Sequence, residues 1–529
     1  MQNKIVQNFL KEITTYDARD LMALMILCSN SFLNRDEDKD LFEGSKNLFA
    51  RILSCFNFAS KNEKIDFFNE EECNIIFNNL FRYLKEKYDY DLSELKECVN
   101  QNRISFKQFL YEISSPKTYP RTFVKSILFK MKPLETFLLA NYNLSLNKLQ
   151  KACELIMKKM VRCFSSFDII NYEFLNITDY LPVKLYDDLI AHNDKNDDLS
   201  KITSNSKLVY FPVIKFNNMY CLTSPEVFID YFYKCIHRLF SKNATKEEKD
   251  IFSNQKGQMF NDSCELIFRN MGFSNIYSNF KYSNGEIDLL IDDKDVLFIV
   301  ECKARNYTDK TSGISNSFIK ANENNLDNAS AQVHRFVDLL NEKENITLKN
   351  KNKKIKIIKD KYKYIIPVVL NIDNLAELNA DFVERKEKTV YVSFDDLLII
   401  ADVIGQKKWL LVDFFNQLEN CKRRDALVDD IIDIFAFYCQ CKNLSILFEE
   451  KLNVIVYQLG NDYFQEYFSY LSDINPIISF DNDITSFKVD EEMTYENIIK
   501  KYHSSHWKTT DDIKKISWCA FVFDMIFIP

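Results

Sequence analysis

The chain has 529 residues, of which 46% are apolar and 28% charged, and it holds only 7 glycines beside 45 phenylalanines and 27 tyrosines. Average usage is roughly 7% glycine, so collagen-like, glycine-rich and low-complexity proteins are excluded, and the chain has material for more than one core. The 69 basic and 77 acidic residues give a net charge of −8, which excludes a uniformly basic surface but allows a local basic site.

The sequence carries no sign of a membrane or secretory protein. No apolar run reaches the roughly 18 residues that a membrane span needs, and the first residues lack the apolar core of a signal peptide. The 14 cysteines are scattered, mostly within apolar helical patterns, which is typical of reduced core cysteines rather than of a disulfide framework. We therefore expect a cytoplasmic protein that does not bind a membrane.

Hydrophobic periodicity predicts four regions along the chain. Residues 1–206 are predicted to be helical, because apolar residues recur there at the helical spacing. A hairpin around Asn217-Asn218 and one helix make up 207–255. Helices and strands alternate over 256–405, and 406–529 is again mostly helical. The predicted fold class is multidomain α+β.

The segment GEIDLLIDDKDVLFIVECKAR, residues 285–305, predicts a β-hairpin. Its strands are Ile287–Ile291 and Val296–Lys303, and the second begins with an unbroken apolar run, as in a strand covered on both faces. Asp293-Lys294 is the expected two-residue loop. This loop implies the cross-strand pairs Asp288–Ile299 and Glu286–Glu301.

Acidic side chains share one face of this hairpin. Because strand side chains alternate, Glu286, Asp288, Glu301 and Lys303 project from one face, and Cys302 projects from the other. Carboxylates opposed across strands repel one another unless something neutralises them, and Mg²⁺ prefers such oxygen ligands. Lys303 is placed to hold an attacking water or to stabilise a pentavalent phosphate. The pattern therefore favours metal-assisted phosphodiester hydrolysis.

An Asp on one strand and Glu-x-Lys on the next, here Asp288 and Glu301-Cys302-Lys303, resembles the PD-(D/E)xK, or restriction-endonuclease-like, nuclease superfamily. The form GEID is common in its Holliday-junction-resolvase-like and restriction-related branches. The resemblance implies that Asp288 and Glu301 bind Mg²⁺, which Mn²⁺ can replace, that the Cys302 carbonyl is a further ligand, and that Lys303 is the catalytic lysine. For residues 256–405 it implies an α/β/α core with a mixed central sheet, between helical N-terminal and C-terminal regions.

Two flanking helices supply further catalytic candidates. Family members often carry a Glu on the helix before the hairpin, and Asn261 stands at the position that we align with it. Asp262 and Glu265 are the nearby acidic residues, and Glu265 is preferred, although an ion pair with Arg269 at i+4 is an equal alternative for it. Many members also have a helix with a Gln after the Glu-x-Lys strand, and Gln332 fits this position.

A lysine-rich run follows the second of these helices. Residues 349–363 hold eight lysines and one aspartate. The alternatives are a solvated loop leading into the next strand, and a contact with nucleic-acid phosphates beside the cleft. The nucleic-acid-binding candidates in and near this run are Arg305, Lys310, Lys349, Lys351, Lys353, Lys354 and Lys356.

These features together predict a Mg²⁺-dependent endonuclease that acts on nucleic acid. The resemblance favours DNA over RNA as the substrate. It also suggests a role in prokaryotic defence, including antiviral defence, or in DNA processing. The alternative is a nuclease-like protein that no longer cuts and serves as a nucleic-acid-binding or scaffold protein, which Asn261 in place of the family's Glu favours. The helical N-terminal region is the expected contact for a regulatory partner or for another copy of the chain.

Overall fold

The computed structural model describes residues 129–163, 176–189, 213–216, 219–222, 225–283, 285–304, 316–350, 353–372, 388–420, 427–428, 431–445 and 455–456. Arg305, Lys310, Lys351 and the helices predicted before residue 129 lie outside these residues. The described residues divide into two compact units, one up to Phe252 and the other from Ser253 onward.

The first unit is mainly helical. Its elements are α1 (Glu135–Tyr142), α2 (Leu146–Cys163), α3 (Val183–Leu189), β1 (Val213–Phe216), β2 (Met219–Leu222), α4 (Pro225–Asn243) and the start of α5 (Lys246–Asn270). The strands β1 and β2 are antiparallel and pair Phe216 with Met219, which confirms the predicted hairpin. Apolar residues at helical spacing form the core, among them Leu138, Leu149, Ile156, Leu185, Phe232 and Ile236.

The second unit is built on a mixed seven-stranded sheet, which confirms the predicted α+β class. The strand order is β7-β6-β3-β4-β5-β8-β9, antiparallel from β7 to β5 and parallel from β5 to β9. The strands are β3 (Ile276–Tyr282), β4 (Gly285–Asp293), β5 (Val296–Lys303), β6 (Asn345–Asn350), β7 (Lys353–Ile358), β8 (Tyr364–Asn371) and β9 (Val390–Ser393).

The strand β5 lies in the interior of this sheet and is almost entirely buried. It pairs with β4 on one side and β8 on the other, and its residues from Val296 to Cys302 are all buried. The rings of Phe268, Phe273 and Phe415 lie 5.6–6.2 Å from that of Phe298. The remaining helices of this unit are α6 (Asn316–Glu342), α7 (Phe394–Ile404), α8 (Lys408–Asn420) and α9 (Ile431–Cys441).

The second unit continues past Gly405, where the sequence predicts a domain boundary. Phe415 on α8 packs on Phe298 of β5, and a short parallel pair, β10 (Leu427–Val428) and β11 (Ile455–Val456), follows within the same unit. None of the helices in the described ranges combines the length and the apolar character needed to cross a membrane.

The β4–β5 hairpin turns at Lys294-Asp295, one residue later than predicted. Asp293 pairs with Val296, and Leu289 with Val300. Lys294 adopts a left-handed φ of 52°. The predicted cross-strand pairs, Asp288–Ile299 and Glu286–Glu301, are therefore wrong by two residues. Because a shift of two residues keeps the alternation of side chains, the predicted acidic face is unchanged. Extended by one residue beyond Leu289–Val300, the observed register places Asp288 level with Glu301.

Most of the lysine-rich run forms the edge strand β7 and a short 3₁₀ turn at Lys359–Lys361. The alternative of a solvated loop is therefore wrong for these residues. Lys354 and Lys356 alternate with Ile355 and Ile357, of which Ile357 is buried and the lysines are exposed. This is the period of two that a half-buried strand requires.

Two glycines offer a test of the fold. Gly272 follows α5 with φ at 92°, and a Cβ there would lie 3.0 Å from the Gln406 side-chain oxygen. We expect Gly272→Ala to lower the free energy of unfolding by about 1 kcal/mol or more, because alanine adopts this φ poorly. Gly257 lies inside α5 with open space around it, so Gly257→Ala should raise that free energy by about 0.5–1 kcal/mol. Urea unfolding measures both, and equal stability of the Gly272 variant and the wild type would contradict the left-handed backbone.

Candidate active site

The ends of β4 and β5 bring four of the predicted site residues together. The backbone N–H of Cys302 donates to Asp288 Oδ2 at 2.8 Å. Lys303 Nζ donates to Glu301 Oε1 and to Gln332 Oε1, each at 2.5 Å. Lys303 thus contacts both Glu301 and Gln332, and β5, which carries Glu301 and Lys303, also holds Asp288 through its backbone.

The Glu301 carboxyl group is buried and that of Asp288 is half-buried, and their negative charges repel each other. Glu301 is 7% exposed, and burial together with the nearby Asp288 raises its pKa to about 7. Burial also raises the pKa of Asp288, with a contribution from Glu286, while the Cys302 N–H and the Lys303 ammonium oppose the rise. The site therefore holds acidic groups whose ionised forms are disfavoured by their surroundings, a combination that marks functional clefts.

Gln332 reaches the site from α6, where the sequence places it. One stripe of this helix is buried in the core and consists of Leu326, Ala329, Val333, Phe336 and Leu340. Gln332 lies at the edge of that stripe and is half-buried, so its side chain meets Lys303 at the end of β5. The sheet and the helix thus hold the Lys303 ammonium between two acceptors.

On α5, Asn261 rather than Glu265 faces the site. The Asn261 side chain is buried, donates to Asp288, and lies 3.4 Å from Asn279 Oδ1. Glu265 accepts from Arg269 Nε at 2.9 Å and Nη2 at 2.6 Å, and from the Ser278 hydroxyl. This confirms the predicted i+4 ion pair. The described residues show no contact between Glu265 and the carboxylates of Asp288 and Glu301, and its catalytic role stays a prediction.

The Cys302 side chain lies on the opposite side of β5 from the acidic groups, as the alternation predicts. It is buried against Cys264 on α5, and burial raises the pKa of its thiol. The residue therefore packs the core through its sulfur while its backbone N–H holds Asp288. Metal binding through its carbonyl stays a prediction.

Two residues near the carboxylates, Asn279 and Arg335, are not predicted from the sequence. Asn279 on β3 is level with Asp288 in the β3–β4 register and has a left-handed φ of 55°, which asparagine tolerates better than most residues. Arg335 lies three residues after Gln332 on α6. Burial raises the pKa values of Glu301 and Tyr282, and the Arg335 guanidinium partly opposes both rises. The i, i+3 spacing from Gln332 is the signal that could have identified Arg335.

Asp288 and Glu301 supply oxygen donors that fit Mg²⁺. Within the described ranges, no three His, Cys, Asp or Glu side chains group together as a metal-binding cluster. Mg²⁺ is commonly bound through one or two carboxylates, with water and substrate phosphate as its other ligands. The two carboxylates, whose ionised forms are disfavoured, match this kind of site.

The predicted basic candidates lie apart from this centre. Lys349 is on β6, and Lys353, Lys354 and Lys356 are on β7, which is separated from β4 by two strands and thus lies roughly 14 Å from it. All four side chains are exposed, and the Lys353 ammonium lies 4.8 Å from the centre of the Tyr277 ring.

Comparison of the chain with protein-family models, with curated proteins and with solved structures found no match. The interpretation of the site therefore depends on the geometry and chemistry of its own residues.

The raised pKa of Glu301 predicts a pH-dependent cost to stability in the absence of metal. The folded protein disfavours ionised Glu301, so stability falls as pH rises from the group's ordinary pKa of 4.5 to about 7, and the full cost remains above that. We expect Glu301→Gln to raise the free energy of unfolding by roughly 1–3 kcal/mol at pH 8, and by little at pH 4.5.

Urea unfolding in EDTA at both pH values measures this effect. Asp295→Asn, at the exposed turn of the same hairpin, is the matched control and should show no such pH dependence. An equal gain of the Glu301 variant at the two pH values would contradict a raised pKa at this residue.

Proposed function

We propose that the chain is a divalent-metal-dependent nuclease with a restriction-endonuclease-like core, in which Asp288 and Glu301 bind the metal and Lys303 is the catalytic lysine. The observation that carries the proposal is the pair of carboxylates, half-buried Asp288 near the start of β4 and buried Glu301 near the end of β5, with Lys303 in contact with Glu301 and with Gln332. The mixed sheet, with α5 before the hairpin and α6 after the Glu-x-Lys strand, supports the proposal.

Each residue has a role that follows from its contacts. A bound Mg²⁺ supplies Lewis acidity and a water of lowered pKa at such a site. The Cys302 N–H fixes the orientation of Asp288, and Gln332 fixes the ammonium of Lys303 beside Glu301. That ammonium is positioned to hold the attacking water or to offset the charge that develops on the phosphate.

The substrate that we favour is DNA, and a role in prokaryotic defence or DNA processing is the corresponding biological proposal. Both follow from the resemblance of Gly285–Asp288 and Glu301–Lys303 to the superfamily. We further propose that the helical N-terminal region contacts a regulatory protein or a second copy of the chain.

The decisive experiment is a cleavage panel with the purified full chain. Single-stranded and double-stranded DNA and RNA are incubated with Mg²⁺, Mn²⁺ or EDTA. We expect metal-dependent cleavage that falls at least about 100-fold in Asp288→Asn and in Lys303→Ala, because metal binding and charge stabilisation each contribute several kcal/mol to such reactions. Asp295→Asn, a carboxylate at the other end of the same hairpin, should cut like the wild type.

Cleavage that persists in both site variants would contradict the assignment of these residues. The order of the rates on the four nucleic acids identifies the substrate, and faster cleavage of RNA would overturn the preference for DNA.

A nuclease-like protein that no longer cuts is the second candidate, and Asn261 is the observation that favours it. The family's helical Glu is replaced here by an amide that donates to Asp288 and adds no negative charge. If this candidate is correct, the wild type binds nucleic acid without cutting it, and Asn261→Glu, which adds a third carboxylate, confers metal-dependent cleavage. Cleavage by the wild type excludes this candidate.

A further inference from the structure

Three lysines on neighbouring strands of the second unit are register partners of one another. Lys354 on β7 pairs with Lys349 on β6, and Lys349 pairs with Lys281 on β3. Lys281 in turn pairs with Glu286 on β4. Residues directly opposite one another across strands project from the same face. The three lysines, which we call the lysine row, therefore cross the sheet side by side and end at Glu286.

The lysine row places like charges opposite each other at two successive positions, which destabilises a sheet. The Lys281 side chain is 73% exposed and lies 3.9 Å from the Glu286 carboxylate, a weak contact. Among the described residues, no carboxylate lies within 4 Å of Lys349 or Lys354. The repulsion is thus largely uncompensated within this part of the chain, and an anion bound along the row would relieve it.

Protection of the sheet edge explains only part of the row. Lysines on an edge strand prevent that strand from pairing with another chain, and this accounts for Lys354 on β7. Lys349 and Lys281 lie on interior strands, each of which has a neighbouring strand on both sides. Their position opposite Lys354 therefore needs another reason.

The lysine row leads to the candidate active site. Glu286 lies two residues before Asp288 on β4, about 7 Å along the strand and on the same face. Neighbouring strands lie about 4.8 Å apart, so the three lysines span roughly 10 Å. One strand of nucleic acid carries a phosphate about every 3.4 Å of helix axis, so the row corresponds to about three phosphates.

We propose that the lysine row binds the sugar–phosphate backbone of the substrate strand and directs it to Asp288 and Glu301. This inference rests on the proposed nuclease function and deepens it by naming the contact. Lysine meets phosphate as a point charge, whereas base edges are read by planar groups such as those of Arg, Asn and Gln. Binding through the row is therefore independent of base sequence. Lys353 is not part of the row, because its ammonium lies over the Tyr277 ring.

The test compares two triple variants that lose the same charge. The full chain carries Asp288→Asn so that it binds without cutting, and its affinity for labelled 30-nucleotide single-stranded DNA of two unrelated sequences is measured by fluorescence anisotropy from 50 to 300 mM NaCl. We expect the variant Lys281→Gln, Lys349→Gln, Lys354→Gln to bind DNA with a less steep salt dependence. The magnitude of the negative slope of log affinity against log salt should fall by about 2 for both sequences, and the affinity at low salt should fall at least tenfold.

The control variant is Lys294→Gln, Lys343→Gln, Lys407→Gln, three exposed lysines outside the row. It should keep the slope of the parent protein. An unchanged slope in the row variant would overturn the proposal. Equal losses of affinity in the two triple variants would also overturn it, because they would show that only the net charge of the protein matters.

A single substitution tests separately whether the lysines of the row repel one another, which a loss of DNA binding alone does not show. Lys349→Glu places a carboxylate between Lys281 and Lys354, so it should raise Tm by about 1–4 °C while it weakens DNA binding. A row variant that binds DNA normally but self-associates would assign the lysines to edge protection and would overturn the proposal.

The two proposals fail separately. If the wild type cuts and the row variant binds with an unchanged slope, the lysine row is wrong and the nuclease function stands. If the wild type does not cut any nucleic acid but the row variant loses binding, the row is supported and the nuclease function fails.

Discussion

The carboxyl groups of Asp288 and Glu301 lie level with each other on neighbouring strands, near the open end of a hairpin whose middle residues, Leu289–Ile291 and Leu297–Val300, are buried in the apolar core. Burial and mutual repulsion both disfavour their charged forms. A pair of this kind lowers the stability of a protein whose total stability is only about 5–15 kcal/mol. The surrounding structure holds the pair in place, since the Cys302 N–H, the Lys303 ammonium and the Asn261 amide each contact one of the two groups.

Much of this arrangement can be predicted from the sequence because strands have a period of two. The strands around Asp288 and Glu301 and the acidic face follow directly from the alternation. The exact cross-strand pairing does not follow from the sequence, because the acidic turn IDDKDV offers two neighbouring loops with similar composition. The structure adopts the later one, and the resulting shift of two residues changes every cross-strand partner but no face.

The sequence names both helical candidates but does not decide which of them faces the site, because long-range packing determines this. Asn261 and Glu265 lie one turn apart on α5, and only the packing of that helix decides that the amide meets Asp288 while the carboxylate meets Arg269 and Ser278. The charge of the lysine-rich run predicts a loop or a contact with phosphates. The alternation of Lys354 and Lys356 with isoleucine already indicated a strand, but the pairing with Lys281 depends on the sheet order.

The two-residue turn of the β4–β5 hairpin has a consequence for the order of folding. Asp288 and Glu301 are 13 positions apart in sequence and meet through local pairing, whereas Asn261 on α5 and the parallel strand β8 join them only after much longer loops close. The carboxylates thus come together while water still screens them, and their repulsion becomes costly only when the helices cover the site. Protonation or a bound divalent cation should therefore act mainly on the rate of unfolding and leave the rate of folding almost unchanged.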